Sequence, residues 1–329
     1  MPDFETKIIL VTGAAGFIGY HLSLRLLKLG ARIVGADCVN DYYDPSLKRA
    51  RLSELEAYNS FSFFEGDLAD ERFTERLFTE AKPDVVVHLA AQAGVRYSLE
   101  NPRAYIESNV VGFFNVLEQV RHHLVEHFLY ASSSSVYGNR DKTPFSVEDR
   151  VDKPVSLYAA TKKSNELFAY TYSHLYGVPA TGLRFFTVYG PFGRPDMAYF
   201  KFTKAILEGK AIDVYNGGDM LRDFTYIDDV ILCIEKMLFC PPKPDETGAP
   251  NAIYNIGNNN PVKLLDFIRA IENALGKTAQ LHFLPMQPGD VEKTYADIEA
   301  TQRDFGFDPS TQIEEGLKQF TDWYQSYYK

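Results

Sequence analysis

Six short runs of nearly uninterrupted apolar residues, rich in β-branched types, recur through the first half of the chain at 7–12, 32–37, 61–65, 84–88, 127–132 and 179–185. Between them the apolar positions take a helical period, over about 17–29, 46–58, 71–80, 103–122 and 157–176. A strand that is apolar on both faces must be covered on both, and the intervening helices supply the cover. The alternation predicts an α/β fold with a doubly wound parallel sheet.

After about residue 186 the rhythm breaks. Loops lengthen and gain Gly and Pro, at 189–195 and 216–219, and 240–250 reads as a surface linker. Short strands are predicted at 212–215, 252–256 and 280–284, and helices at 199–207, 230–239, 263–275 and 313–327. This second part is read as a smaller α+β substrate-binding domain. The expected division is 1–183, also receiving about 222–258, against 184–221 together with 259–329.

Composition narrows the function classes. The 329 residues are 45% hydrophobic and 24% charged, enough to build a large core without disulfides or metals. The net charge of −10 argues against nucleic acid or an anionic membrane as the main partner. No stretch approaches ~18 apolar residues, and nothing at the start resembles a signal peptide. Cys38, Cys233 and Cys240 are too few and too irregular for a disulfide framework or a zinc site. A cytoplasmic protein with no metal site is expected.

Gly13, Gly16 and Gly19 lie between the first strand and the first helix. There Gly13 allows a tight turn, Gly16 lets backbone approach a pyrophosphate at the helix N-terminus, and Gly19 lets the helix pack closely on the strand. With Phe17 and Ile18 of the same stretch, they are the first candidate cofactor-binding positions of a Rossmann-like dinucleotide site. Asp37 ends the second strand, where a carboxylate accepts from an adenosine ribose and repels a 2′-phosphate. That favours NAD over NADP, although Lys48, Arg49 and Arg51 follow closely and keep NADP open. Asp67 and Leu68 end the third strand, with Asp67 placed for an adenine amino group. Leu89, Ala90 and Ala91 end the fourth, small enough for a cofactor to lie close. These positions trace one path along the carboxyl ends of the strands.

Tyr158 and Lys162 are spaced i, i+4 on a helical stretch and share one face. A free phenol with a pKa near ~10 is a poor base at neutral pH. An adjacent ammonium and a nicotinamide cation both favour its phenolate. The serine run 132–135 leaves the fifth strand at the same sheet edge, where a hydroxyl can reach a substrate oxygen beside Tyr158.

The segments TGAAGFIG (12–19), GDL (66–68), HLAAQAGVRYS (88–98), SSSSVYG (132–138) and YAATK (158–162) resemble the extended short-chain dehydrogenase/reductase superfamily. More narrowly, 93–118, 184–198 and 222–230 look like the UDP-glucuronate 4-epimerases. The resemblance covers nearly the whole chain. It implies that Ser133, Tyr158 and Lys162 are catalytic, and that a tightly bound NAD is used without being consumed. The implied reaction interconverts UDP-glucuronic acid and UDP-galacturonic acid through a transient 4-keto sugar.

Related dehydratases carry acids at the positions of Ser134 and Ser135, and a related decarboxylase carries Glu at the second. The resemblance therefore gives Ser134, Ser135 and Thr187 the task of holding the uronate carboxylate, with Arg194 as a charged partner. Arg96 is read as facing either that carboxylate or the diphosphate. Arg222 is assigned to the UDP phosphates and Asp290 to the nucleotide ribose; Tyr215 and Phe200 are offered for the uracil, with core packing as the other reading of each. The resemblance also implies a homodimer, paired through the helices at 103–122 and 157–176, with Phe113, Phe114, Leu117, Phe168, Tyr172 and Leu175 as candidate contacts that could equally pack against the sheet. The competing readings are a UDP-galactose 4-epimerase, which has no carboxylate to hold; a UDP-glucuronate decarboxylase; a net-redox dehydrogenase; and a non-catalytic NAD-binding regulator.

Overall fold

The computed structural model describes residue 4, residues 6–286 and residues 291–329. Along the chain run β1 (Ile8–Thr12), α1 (Phe17–Lys28), β2 (Arg32–Asp37), α2 (Pro45–Glu56), β3 (Phe61–Glu65), α3 (Glu71–Ala81), β4 (Val85–His88), α4 (Tyr97–Glu100), α5 (Pro102–Ile106), α6 (Phe113–His122), β5 (His127–Ser133), α7 (Leu157–Tyr176) and β6 (Ala180–Phe185). There follow β7 (Thr187–Tyr189), α8 (Ala198–Leu207), β8 (Ala211–Tyr215), β9 (Leu221–Arg222), β10 (Phe224–Tyr226), α9 (Ile227–Met237), β11 (Asn251–Ile256), β12 (Val262–Lys263), α10 (Leu264–Leu275), β13 (Gln280–Leu284), α11 (Glu299–Phe305) and α12 (Ile313–Tyr327). They form two compact units. The first comprises the chain up to Gly138, with Arg150–Arg184 and Ile231–Tyr254. The second comprises Asn139–Asp149, Phe185–Val230 and the chain from Asn255 onward.

The first unit is built on a seven-stranded parallel sheet in the order β3-β2-β1-β4-β5-β6-β11. Leu10 of β1 lies between Val34 of β2 and Val86 of β4, so the central strands are apolar because both faces are covered. On one face Leu10, Val86, Phe113, Leu117, Phe128 and Leu77 form the core. Burying a side chain such as Phe113, fully enclosed, contributes about 1.5–3 kcal/mol. Helix starts are set locally: Asp70 accepts from Arg72 and Phe73 N–H groups at α3, and Ser156 accepts from Ala159 N–H at α7. Strand order reverses at β1 and β4, which brings the loops leaving these two strands together at the carboxyl edge.

One expectation needs correction. The helix expected over 103–122 is not continuous: a π-turn, Glu107–Gly112, separates α5 from α6. Its cause is Asn109, described below. Of the residues open to either a second subunit or the sheet, Phe113 and Leu117 belong to the core, and Phe168 and Tyr172 pack against it. Phe114 and Leu175 of the same set are exposed.

Among its described residues the second unit has three two-stranded sheets, β10-β7, β12-β9 and β13-β8. Helices α8, α10 and α12 pack together. Its core is aromatic: Phe224 and Phe267 stack with ring centroids 4.1 Å apart, and Phe200 meets Phe320 at 5.9 Å and Tyr324 at 5.1 Å.

Candidate functional site

The turn after β1 shows why its glycines are needed. Gly13 has φ +72°, and a Cβ there would stand 2.8 Å from Ala90 N and 2.9 Å from Leu89 C, so the β1 and β4 loops touch backbone to backbone. At Gly19 a Cβ would stand 2.1 Å from Gly13 O. Gly16 N–H donates to Gly13 O at 2.8 Å, closing the turn, and α1 then begins with no side-chain cap and no acidic residue in its first turn. A helix start with uncapped N–H donors beside a turn that excludes side chains fits the pyrophosphate of a dinucleotide. Gly13, Gly16, Phe17, Ile18, Gly19, Leu89, Ala90 and Ala91 are thus brought to one place.

Asp37 joins them. Its carboxylate accepts from Ala15 N–H at 3.2 Å and Val39 N–H at 2.8 Å, tying the β1 and β2 loops together. Burial pushes its pKa up, against the pull of Lys48 and these two donors. The three cations that kept a 2′-phosphate open each have protein partners. Lys48 donates to Asn40 O and Oδ1, Arg49 pairs with Glu65 through two 2.7 Å bonds, and fully buried Arg51 donates to Ala15 O and Tyr43 OH. This arrangement favours a 2′-hydroxyl. Gly66 N–H donates to Asp37 O, so the β3 loop arrives at the same edge. Asp67 is exposed there, with one oxygen accepting from Ala69 N–H, while the Leu68 side chain belongs to the core.

On the other side of β4, α7 packs against β5 and the 134–137 turn. Lys162 is 2% exposed, and its Nζ donates to Ala131 O at 2.9 Å. Burial pushes its pKa down to about 7. Tyr158, one turn earlier, is half-buried with its ring edge-on to Tyr105 at 6.0 Å. Ser133 ends β5. Its Oγ accepts from Ser135 N–H and donates to Ser135 Oγ, both at 3.1 Å, which caps the turn carrying Ser134 and Ser135. Buried His88 is held neutral, its pKa pushed down to about 3, with Nδ1 2.9 Å from Thr12 Oγ1.

Asn109 was missed from the sequence. It is 1% exposed; its Oδ1 accepts from Gln92 N–H at 2.8 Å, and its Nδ2 donates to Gln92 O and to Thr161 Oγ1. Its carbonyl accepts from Asn165 Nδ2 at 2.6 Å. A carbonyl bonded by a side chain is drawn out of the helical ladder, which accounts for the π-turn. The cluster joins the β4 loop to the helix of Tyr158 and Lys162. The signal was available: Asn109 falls between Tyr105 and Phe113 on the apolar spacing of its helix.

Arg96 is exposed at the start of α4. The remaining candidates lie in the second unit. Thr187 opens β7, half-buried, and its N–H donates to Asp223 O. Arg194 makes a two-bond ion pair with Asp196 at 3.0 and 2.5 Å. Arg222 donates to Leu221 O and Glu292 O, both at 3.0 Å. Tyr215 ends β8, half-buried. Phe200 is 4% exposed inside the aromatic core, which removes it from the uracil contacts. Asp290 lies outside the described residues. Among the described residues no cluster of His, Cys, Asp or Glu suits a metal ion, and no helix is long and apolar enough to cross a membrane.

A dinucleotide-type turn at the reversal point of a parallel sheet, with Tyr158, Lys162 and Ser133 gathered on its far side, defines a Rossmann-fold protein of the short-chain dehydrogenase/reductase class. Comparison with known proteins narrows this. The family model described as GDP-mannose 4,6 dehydratase matches residues 10–320, and the chain belongs to that family of extended short-chain dehydrogenases/reductases. It is 54% identical to protein CapI of Staphylococcus aureus, over 98% of this chain and 99% of that one. It is 46% identical to a probable UDP-glucuronate 4-epimerase of Rhizobium meliloti, over 97% of each. A crystal structure of UDP-glucuronic acid 4-epimerase from Bacillus cereus, in complex with UDP-glucuronic acid and NAD, superposes with a TM-score of 0.89 at 35% identity, covering 98% of this chain and 100% of that one.

Proposed function

We propose that this protein is an NAD-dependent 4-epimerase that interconverts UDP-glucuronic acid and UDP-galacturonic acid. The observation that carries the reading is Lys162 Nζ held on the Ala131 carbonyl two residues before Ser133, with Tyr158 one turn earlier on α7, in a chain that also has the glycine turn and whose relatives, matched over 97% of its length, bear that activity's name. NAD, when bound, supplies the redox chemistry, accepting hydride from the sugar C4 and returning it to the opposite face. Tyr158 phenolate takes the proton of the 4-hydroxyl and later gives it back, and Ser133 hydrogen-bonds O4 during the transfer. Lys162 in its cationic form favours the phenolate.

A 4-keto uronic acid is a β-keto acid, and it loses CO₂ when the C5–C6 bond aligns with the carbonyl π system. The protein must hold the carboxylate away from that alignment. Ser134, Ser135 and Thr187 are assigned this task, with Arg194 as a charged partner and Arg96 toward the carboxylate or the diphosphate. Arg222 suits the UDP phosphates because a guanidinium pairs with phosphate through two bonds. Tyr215 and Asp290 are assigned to the uridine. The first unit is read as the NAD-binding domain and the second as the nucleotide-sugar domain. The protein is further proposed to be a cytoplasmic homodimer, paired through the exposed Ile106, Val111 and Phe114 together with Leu167, Tyr170 and Leu175.

The test is incubation of the purified protein with UDP-glucuronic acid without added cofactor. Chromatography should show UDP-galacturonic acid accumulating to a fixed ratio, and heat denaturation should release NAD. Protein that carries NAD but leaves the substrate untouched contradicts the reading.

A further inference from the structure

A buried ion pair lies behind the acid–base groups and takes no part in the proton transfer described above. Arg184 of β6 and Glu166 of α7 have side chains only 2% and 1% exposed. The guanidinium meets the carboxylate through two bonds, Nε to Oε1 at 2.8 Å and NH2 to Oε2 at 3.0 Å. Burying two charges is costly, and apolar side chains of similar volume often fold as well or better.

The other partners of the pair suggest what it is for. Ser132, the residue before Ser133, donates its Oγ to Glu166 Oε1 at 2.6 Å. At the far end of the serine turn, Tyr137 OH accepts from Arg184 NH1 at 3.0 Å, and the guanidinium carbon lies 4.9 Å from the Tyr137 ring centroid. Lys163, beside Lys162, donates to Glu166 Oε2 at 3.2 Å. Glu166 itself stands one turn beyond Lys162 and two beyond Tyr158 on α7. The segment with Ser133, Ser134 and Ser135 is therefore gripped at both ends by one ion pair, and the acidic half of that pair grows from the helix of Tyr158 and Lys162.

We infer that Glu166 and Arg184 are positioning residues, whose buried pair sets the register of the 132–137 turn, and with it Ser133 Oγ, against the face of α7 that presents Tyr158 and Lys162. The inference rests on the acid–base roles proposed above. A pair serving stability alone could be replaced by apolar side chains without loss of rate. A pair that sets register could not, because displacement of a reacting group by ~1 Å costs about 10²-fold.

The experiment is the double variant Glu166→Met with Arg184→Met, made in the wild-type and the Ser133→Ala backgrounds and assayed with UDP-glucuronic acid. The expected protein is folded and carries NAD, with KM within about twofold of wild type and kcat lower by about 10- to 100-fold. In the Ser133→Ala background the same change should cost less than about threefold, because the group being positioned is gone. Should the double variant fail to fold, Tyr137→Phe and Ser132→Ala each remove one grip while keeping the ion pair. Each should then lower kcat about 5- to 10-fold with KM unchanged, and neither effect should survive in Ser133→Ala. Unchanged kcat in a folded variant, or an equal loss in both backgrounds, would overturn the inference. Wild-type protein that carries NAD but is inert toward UDP-glucuronic acid would overturn the functional reading, and the positioning role with it.

Discussion

Lys162 is the side chain on which the proposed acid–base chemistry turns. Its burial holds the pKa down to about 7, so near neutrality the ammonium gives up its proton more readily than a free lysine. Tyr158 stands one turn away on α7. On the proposed role, replacing Lys162 with Met removes the cation that favours the Tyr158 phenolate. The variant should lose about 10²-fold in kcat at pH 7 and recover part of it toward pH 10, where a phenol ionises unaided. A flat pH–rate profile would contradict this role. The serines allow a separate test. Ser134→Ala, Ser135→Ala and Thr187→Ala should each raise the proportion of decarboxylated pentose product, as measured by chromatography of the nucleotide sugars. If all three leave the ratio of epimer to pentose unchanged, the carboxylate grip is wrong.

The loops leaving β1 and β4 behave as one element. They touch backbone to backbone at Gly13 and Ala90, so Gly13→Ala strains a residue at φ +72° and drives the loops apart. The variant should be purified without NAD, as measured by absorbance of the supernatant after heat denaturation, whereas wild type should retain it. The π-turn is the second such element. Asn109→Ala leaves the buried Gln92 backbone groups unpaired and should destabilise the protein by about 1–3 kcal/mol in denaturant titration. Most elements at this scale were legible in the sequence, because parallel strands are apolar throughout and the helices between them are periodic. The π-turn was hidden because its cause is a tertiary hydrogen bond, from Asn165 to the Asn109 carbonyl, which no local pattern records. Phe113 and Leu117 stay open in the sequence for a related reason: helix period shows that a face is apolar but not which neighbour covers it. The glycine turn and the Tyr158–Lys162 spacing were legible because their chemistry depends on residues adjacent in sequence. The grip of Glu166 and Arg184 on the serine turn was not, since it joins three segments distant in sequence: α7, β6 and the 132–137 turn.

At the scale of the whole molecule, the proposed homodimer draws on the exposed apolar side chains of α6 and α7. Phe114→Glu combined with Leu175→Glu should convert a species of twice 37.3 kDa into one of 37.3 kDa in light scattering after size exclusion. A wild-type protein already at the lower mass would end the dimer proposal. The acidic whole, with net charge −10, requires local cations to hold a UDP-sugar, and Arg222 and Arg194 are the candidates. The central claim is 4-epimerisation with hydride kept inside the protein. Its most direct test is proton NMR of UDP-glucuronic acid incubated in D₂O with the purified protein and no added cofactor. UDP-galacturonic acid should grow to a fixed ratio with the C4 hydrogen retained. An unchanged spectrum from protein shown to carry NAD, or a product with deuterium at C4, would contradict it.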